Sequence, residues 1–74
     1  MLDRQDEKIM AVFGRNLKKT RLEKGWSLRQ LAHEADMSHF NIHEIEKGIV
    51  NPSLTTIMGL ARALEVDPGA LMPK

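Results

Sequence analysis

Apolar residues in this chain recur at the three- and four-residue spacings of helices, and strict alternation is sustained nowhere, so the pattern predicts an all-α protein. The first run extends from about Asp6 to Lys24, where Ile9, Phe13 and Leu17 fall four apart with Met10 and Thr20 beside them. Gly14 lies inside this run at a cost of ~1 kcal/mol against alanine, which points to something packed closely over it. Gly25 supplies the left-handed residue that ends a helix, and Trp26 follows where a hydrophobic contact seals such an end. Two short amphipathic segments come next, Leu28–Ala35 and His39–Lys47, separated by Asp36, Met37 and Ser38. Ser27 caps the first, with Gln30 three places on as in a reciprocal capping box. Ser38 caps the second, and Gly48 ends it. Beyond Pro52, Ser53 caps a fourth helix whose stripe is Leu54, Ile57, Ala61 and Leu64, with Leu60 widening it and Gly59 allowing a close approach. Asp67-Pro68, a capping acid and then proline, starts a fifth helix of a single turn or little more.

The stretch Ser27–Gly48 organises the rest. Leu31, Ala32 and Ala35 face inward from its first segment, Ile42 and Ile45 from its second, and Ala32 is small enough for the two to cross closely. Short crossed helices joined by a tight turn are the geometry that lets the second enter a DNA major groove. His39, Phe40, Asn41, His43, Glu44 and Lys47 are then left pointing outward.

The residues F13-G-R-N-L-K-K-T-R21, G25-W-S-L-R-Q-L-A32, S38, I42, I45-E-K-G48 and P52-S-L54 together resemble the lambda-repressor-like, Xre and Cro type helix-turn-helix regulators of bacteria and phages. The resemblance spans roughly residues 13–72 and implies a compact five-helix domain. It also implies a transcriptional regulator, repressor-type, that binds an inverted-repeat operator in double-stranded DNA as a homodimer. Arg21 and Glu46 match a pair that forms an internal salt bridge in that family, and an arginine fork on a carboxylate is suited to fixing a helix angle. His39, Phe40, Asn41, His43 and Glu44 match positions from which bases are read. By groove chemistry Asn41 suits adenine, His39 or His43 guanine, and Phe40 a thymine methyl. Packing against the protein is the other reading of Phe40.

Three positions depart from the family pattern. Leu28 stands where a glutamine often holds phosphate, Asp36 replaces the glycine of the turn, and Ile49-Val50 is apolar where relatives place polar residues. Aspartate tolerates the left-handed conformation better than most residues. Phosphate contact then falls to Arg15, Lys18, Arg29, Lys47 and Asn51, with backbone amides at helix starts. Val66, Leu71 and Met72 lie past the main core, need covering, and are the candidates for a dimer interface.

Composition narrows the alternatives. Seventy-four residues, 42% apolar, make one domain near the lower limit for folding without staples. Residues 9–74 form that domain, with 1–8 as an N-terminal arm or disordered segment. Three aromatics leave the core aliphatic and rich in methionine, and the absence of cysteine excludes thiolate chemistry and disulfides. The first residues mix both charges and form no signal-peptide core, and no apolar run approaches the ~20 residues of a membrane span, so a cytoplasmic protein of bacterial or phage origin is expected. Net charge is +1, but residues 1–24 carry seven Lys/Arg against four Asp/Glu, and residues 25–74 four against six. A modest basic end is compatible with phosphate contact.

His33-Glu34 and His43-Glu44 open possible H-E-x-x-H motifs, but Met37 and Lys47 stand where the second histidine is needed. With no glycine-rich phosphate loop and no nucleophile signature, an enzyme is not expected, nor a metal, cofactor or small-molecule ligand. Histidines on the outward helix raise the expectation that DNA affinity increases as pH falls from about 8 to about 6. The alternative function is a protein–protein module, such as an antitoxin or partner-dependent regulator, whose sign would be an exposed Leu28–Ile49–Val50 patch.

Overall fold

A computed structural model describes residues 3–74. It contains four α-helices, α1 (Arg4–Glu23), α2 (Leu28–Ala35), α3 (His39–Glu46) and α4 (Leu54–Leu64), and a 3₁₀ turn at Pro68–Ala70. The expected count of five α-helices is therefore corrected to four. Asp67 caps the last segment through the Gly69 amide and Pro68 opens it, but its hydrogen bonds each run back three residues, from Ala70 to Asp67, Leu71 to Pro68 and Met72 to Gly69, the pattern of a 3₁₀ turn and not of an α-helix.

The first helix begins earlier than its apolar pattern suggests. Asp3 accepts from the Asp6 amide at 2.9 Å while Asp6 accepts from the Asp3 amide at 3.4 Å, a reciprocal capping box. From Arg4 onward the expected arm is thus the first turns of α1; Met1 and Leu2 lie outside the described residues. At α2 only half of the expected box forms. Ser27 accepts from the Gln30 amide at 3.1 Å, but the Gln30 side chain turns along the helix to donate to Glu34. Ser38 and Ser53 cap α3 and α4 in the same way as Ser27.

All four helices close with the same paired bonds, in which the residue after the turn donates back five places and the one before it three. The left-handed residue of that motif is Gly25 after α1, Asp36 after α2, Gly48 after α3 and Glu65 after α4.

α1 packs on α3, while α2 packs on both α3 and α4, and the 3₁₀ turn lies against α4. The core they enclose is Phe13, Leu17, Leu31, Ala32, Ile42, Ile45, Leu60, Ala61, Leu64 and Leu71, with Trp26 and Met37 packed at its edge. Three expected inward positions are corrected. Ile9 is 44% exposed, because the buried side of α1 runs through Met10, Phe13, Gly14, Leu17 and Arg21 instead. Leu54 is 74% exposed, since α4 turns Leu60, Ala61 and Leu64 inward and its first residue away. Nothing approaches Gly59 within 4 Å, so that glycine admits no neighbouring helix. No helix among the described residues is long and apolar enough to cross a membrane.

Candidate nucleic-acid interface

α3 is held from three directions. From α2, the Met37 amide donates to the Ala32 carbonyl at 2.9 Å across a turn that Asp36 makes at φ 55°. That bond fixes the crossing of the two helices, with Leu31 and Ala32 buried against Ile42 and Ile45. From α1, backbone meets backbone at two glycines. A Cβ on Gly14 would stand 2.5 Å from the Ile45 carbonyl oxygen and 2.6 Å from that of Glu46. A Cβ on Gly48 would stand 2.9 Å from the Cα of Ala11.

The third hold is an ion pair. Arg21 donates through Nε to Glu46 Oε2 at 2.7 Å and through Nη2 to Oε1 at 3.0 Å, a parallel fork in which both side chains are more than nine-tenths buried. The remaining nitrogen, Nη1, donates to the Trp26 carbonyl at 2.8 Å. One guanidinium therefore ties the end of α1, the entry to α2 and the last turn of α3 together, and no buried side-chain nitrogen or oxygen among the described residues lacks a partner. Lys24 lies over the Trp26 ring at 4.8 Å and contacts Glu65 at 3.6 Å, closing the outside of the same corner.

What this frame presents is the outer face of α3. His39, Phe40, Asn41, His43 and Lys47 are exposed, and Glu44 is half-buried. Phe40 is 63% exposed, which corrects the reading of it as a packing residue. Its Cβ leaves the first turn of α3 on the side opposite Ile42 and Ile45, so the ring finds no core to enter. Asn41, Glu44 and Asn51 share a shallow recess with Phe40, floored by Met37, Val50 and Pro52. Of the phosphate candidates, Arg29 is exposed at the start of α2 and Lys47 at the end of α3. Arg15 and Lys18 are exposed too, but they border a separate shallow groove on α1 with Lys19 and Leu22. Arg4, Lys8 and Lys19 fall on that same side of α1 and were not among the expected residues. A helical wheel of α1 would have found them, since Arg4 and Lys8 lie eleven and seven places before Arg15 and Lys19 four after it.

The helix-turn-helix family model matches residues 17–71, which takes in Arg21, α2, α3, α4 and the 3₁₀ turn. The chain belongs to the helix-turn-helix family. It is 37% identical over 65 residues to the control protein C.BamHI of Bacillus amyloliquefaciens, an alignment covering 86% of this chain and 80% of that protein. Its fold matches the restriction-modification controller protein C.AhdI of Aeromonas hydrophila with a TM-score of 0.83 at 33% identity, over 85% of this chain and 96% of that one. A third relative, the controller C.Esp1396I, has been solved as a tetramer in complex with its natural 35 base-pair operator. This chain matches it with a TM-score of 0.78 at 26% identity, over 84% of its own length and 82% of the other's.

Within the helix-turn-helix frame, two departures from the family pattern have a structural use. Leu28 and Val50 are half-buried and packed on the core, leaving only Ile49 of the Leu28–Ile49–Val50 group exposed. The patch expected of a protein–protein module does not form. The dimer-interface candidates also change. Leu71 is 0% exposed and belongs to the core, and Val66 packs against that core. The reason lies on α1, where the Asn16 amide donates to the Leu71 carbonyl at 3.0 Å and draws the end of the chain inward. Met72 alone of the three is exposed.

It is joined by other apolar side chains, of which the sequence pattern had placed Ile9 and Leu54 inside. Met72, Ile9, Ile57, Pro52 and Pro73 border one recess, and Leu54 and Met58 are exposed on either side of Ile57 along α4.

Proposed function

We propose that this chain is a sequence-specific DNA-binding transcriptional regulator, repressor-type, that acts as a homodimer on an inverted-repeat operator. The observation that carries this reading is the contrast across α3. One side is locked to α1 and α2 by the buried Arg21–Glu46 fork and two backbone approaches. The other offers hydrogen-bonding and aromatic side chains to solvent on a helix short enough to lie in a major groove. Asn41 reads adenine, His39 or His43 reads guanine, and Phe40 meets a thymine methyl. Arg29, Lys47 and Asn51 hold the phosphates beside α3, and Arg15 and Lys18 those nearer α1.

The dimer forms through the apolar face of Ile9, Leu54, Met58 and Met72, which no described residue covers. A regulator resembling C.Esp1396I, which assembles on its operator as a tetramer, fits that arrangement. The protein works in the cytoplasm of a bacterium, needs no cofactor, and catalyses no reaction.

Selection of binding sites from a random duplex pool at two salt concentrations tests the proposal. Recovery of an inverted repeat, with affinity falling as salt rises, is the expected result. Failure of folded protein to enrich any sequence would move the assignment to a partner-binding module.

A further inference from the structure

We infer that Phe40 and Glu44 act as one reading unit that specifies a pyrimidine step, cytosine at Glu44 and thymine at Phe40, an assignment that rests on the major-groove reading of α3. The two residues stand one helical turn apart and border the same recess on the outer side of α3. Cβ atoms at that spacing are about 5–6 Å apart. Successive bases on a strand rise by about 3.4 Å, so side chains leaving such a pair reach neighbouring bases rather than the same one.

Glu44 decides the first base. The ion pairs among the described residues are Arg21–Glu46 and Lys24–Glu65, and neither of them uses the Glu44 carboxylate. An ionised carboxylate only accepts hydrogen bonds. In the major groove guanine shows it two acceptors and thymine another, while adenine sets its N7 acceptor beside its amino group. Cytosine N4 is the donor with no acceptor of its own base alongside. A carboxylate brought close to phosphates weakens binding to every sequence, and only an amino group opposite it offsets that loss. Its presence on the reading face therefore favours discrimination over affinity.

Phe40 decides the neighbour. It is the only aromatic on α3, and it projects beside an otherwise polar set. An aromatic edge has no hydrogen bond to offer in the groove, and the thymine methyl is the apolar group there. Met37, Val50 and Pro52 line the same recess as the ring, so apolar surface lies beside a methyl group that meets it.

The test uses the operator recovered by selection and three probes. A cytosine next to a thymine on one strand is expected in each half-site. Replacing that thymine by deoxyuridine, which removes only the methyl, weakens wild-type binding roughly threefold to tenfold and leaves the Phe40→Ala variant unaffected. Glu44→Ala moves two quantities in opposite directions. Binding to random duplex strengthens as a negative charge is removed, while preference for cytosine at the paired position falls roughly tenfold. A residue with a merely structural role would weaken both, and helix content measured by circular dichroism separates misfolding from either.

An inverted repeat whose base preferences ignore both substitutions overturns this assignment and leaves the DNA-binding reading standing. No enrichment by folded protein overturns the two together.

Discussion

Two surfaces of α1 teach different things about the molecule. Toward α3, the helix carries Gly14 and Arg21, and everything it meets belongs to the same chain: the carbonyls of Ile45 and Glu46 close against the glycine and the carboxylate of Glu46 grips the arginine. Toward α4 and the end of the chain it carries Ile9, which stands beside Met72, Ile57 and two prolines without being covered. On the first surface the glycine and the arginine stand among Met10, Phe13 and Leu17, and all of them are buried. The second uses large apolar residues and is open. Both surfaces carry large apolar residues, but on the open one no described residue covers them, while on the closed one a charge pair and a missing side chain are added to the apolar packing that sets α3.

Breaking the closed surface has the largest expected effect. Glu46→Ala leaves the Arg21 guanidinium buried without its carboxylate, and loss of one partner from such a pair costs ~3–5 kcal/mol. A domain of this size has a total stability on the order of 4–11 kcal/mol, so the variant should be partly unfolded at ambient temperature in urea titrations. Replacing both partners by apolar residues, as in Arg21→Met with Glu46→Leu, should restore most of the loss. If the single variant melts like the parent, the fork is not what holds α3.

Gly14→Ala tests the same surface by volume. Alanine improves helix propensity by ~1 kcal/mol, yet its Cβ would fall 2.5 Å from a backbone oxygen that no rotamer change can move aside. Overpacking costs ~1–3 kcal/mol, and an obstacle made of backbone sets this case near the top of that range. A net destabilisation of about 2 kcal/mol in denaturant titration is expected; a stabilised variant would mean that α1 and α3 are free to separate.

The open surface should respond in the other way, with association lost and folding kept. Leu54→Glu places a charge on a side chain that is already 74% exposed in the single chain. Losing its burial is worth ~2 kcal/mol for each subunit of a symmetric dimer, so the dissociation constant should rise by at least about thirtyfold. Sedimentation equilibrium should show the shift toward monomer with unchanged helix content, and operator affinity should fall with it. An unchanged dimer would place the subunit contact elsewhere.

The contrast also explains what the sequence made legible. Serine caps at Ser27, Ser38 and Ser53 and the left-handed residues Gly25, Asp36 and Gly48 are local chemistry, and each was readable from its neighbours. On the inward side of α1, Gly14 and Arg21 were legible too, one as a close approach and the other as an ion-pair partner, but where its apolar line begins was not. Ile9 took the place of Met10 in that pattern because both fit a spacing of three or four from Phe13. Leu71 looked like a spare apolar residue beyond the core, since the group that draws it in is the amide of Asn16, fifty-five positions away. On the outer face of α3 the residue identities were legible at once, as nothing folds over them. Which of them share a recess was not, because Val50, Asn51 and Pro52 come from the following loop.

The smallest effect expected lies at a residue with no local signal at all. Glu65 takes φ 59° to end α4, the conformation that Asp36 takes at 55° to end α2. A side chain held there costs ~1–2 kcal/mol, less for aspartate, whose short polar group bonds locally. Glu65→Gly removes that cost but adds backbone freedom to the unfolded chain. It also gives up a 3.6 Å contact with Lys24 that is largely solvent-exposed and worth little. A net gain of ~0.5–1 kcal/mol should remain, a rise in melting temperature of roughly 2–8 °C. Asp36→Gly should gain less, although it makes the same turn, because aspartate tolerates the turn better than glutamate. If Asp36→Gly gains more, the strain sits in the turn that sets α3, and α4 ends without cost.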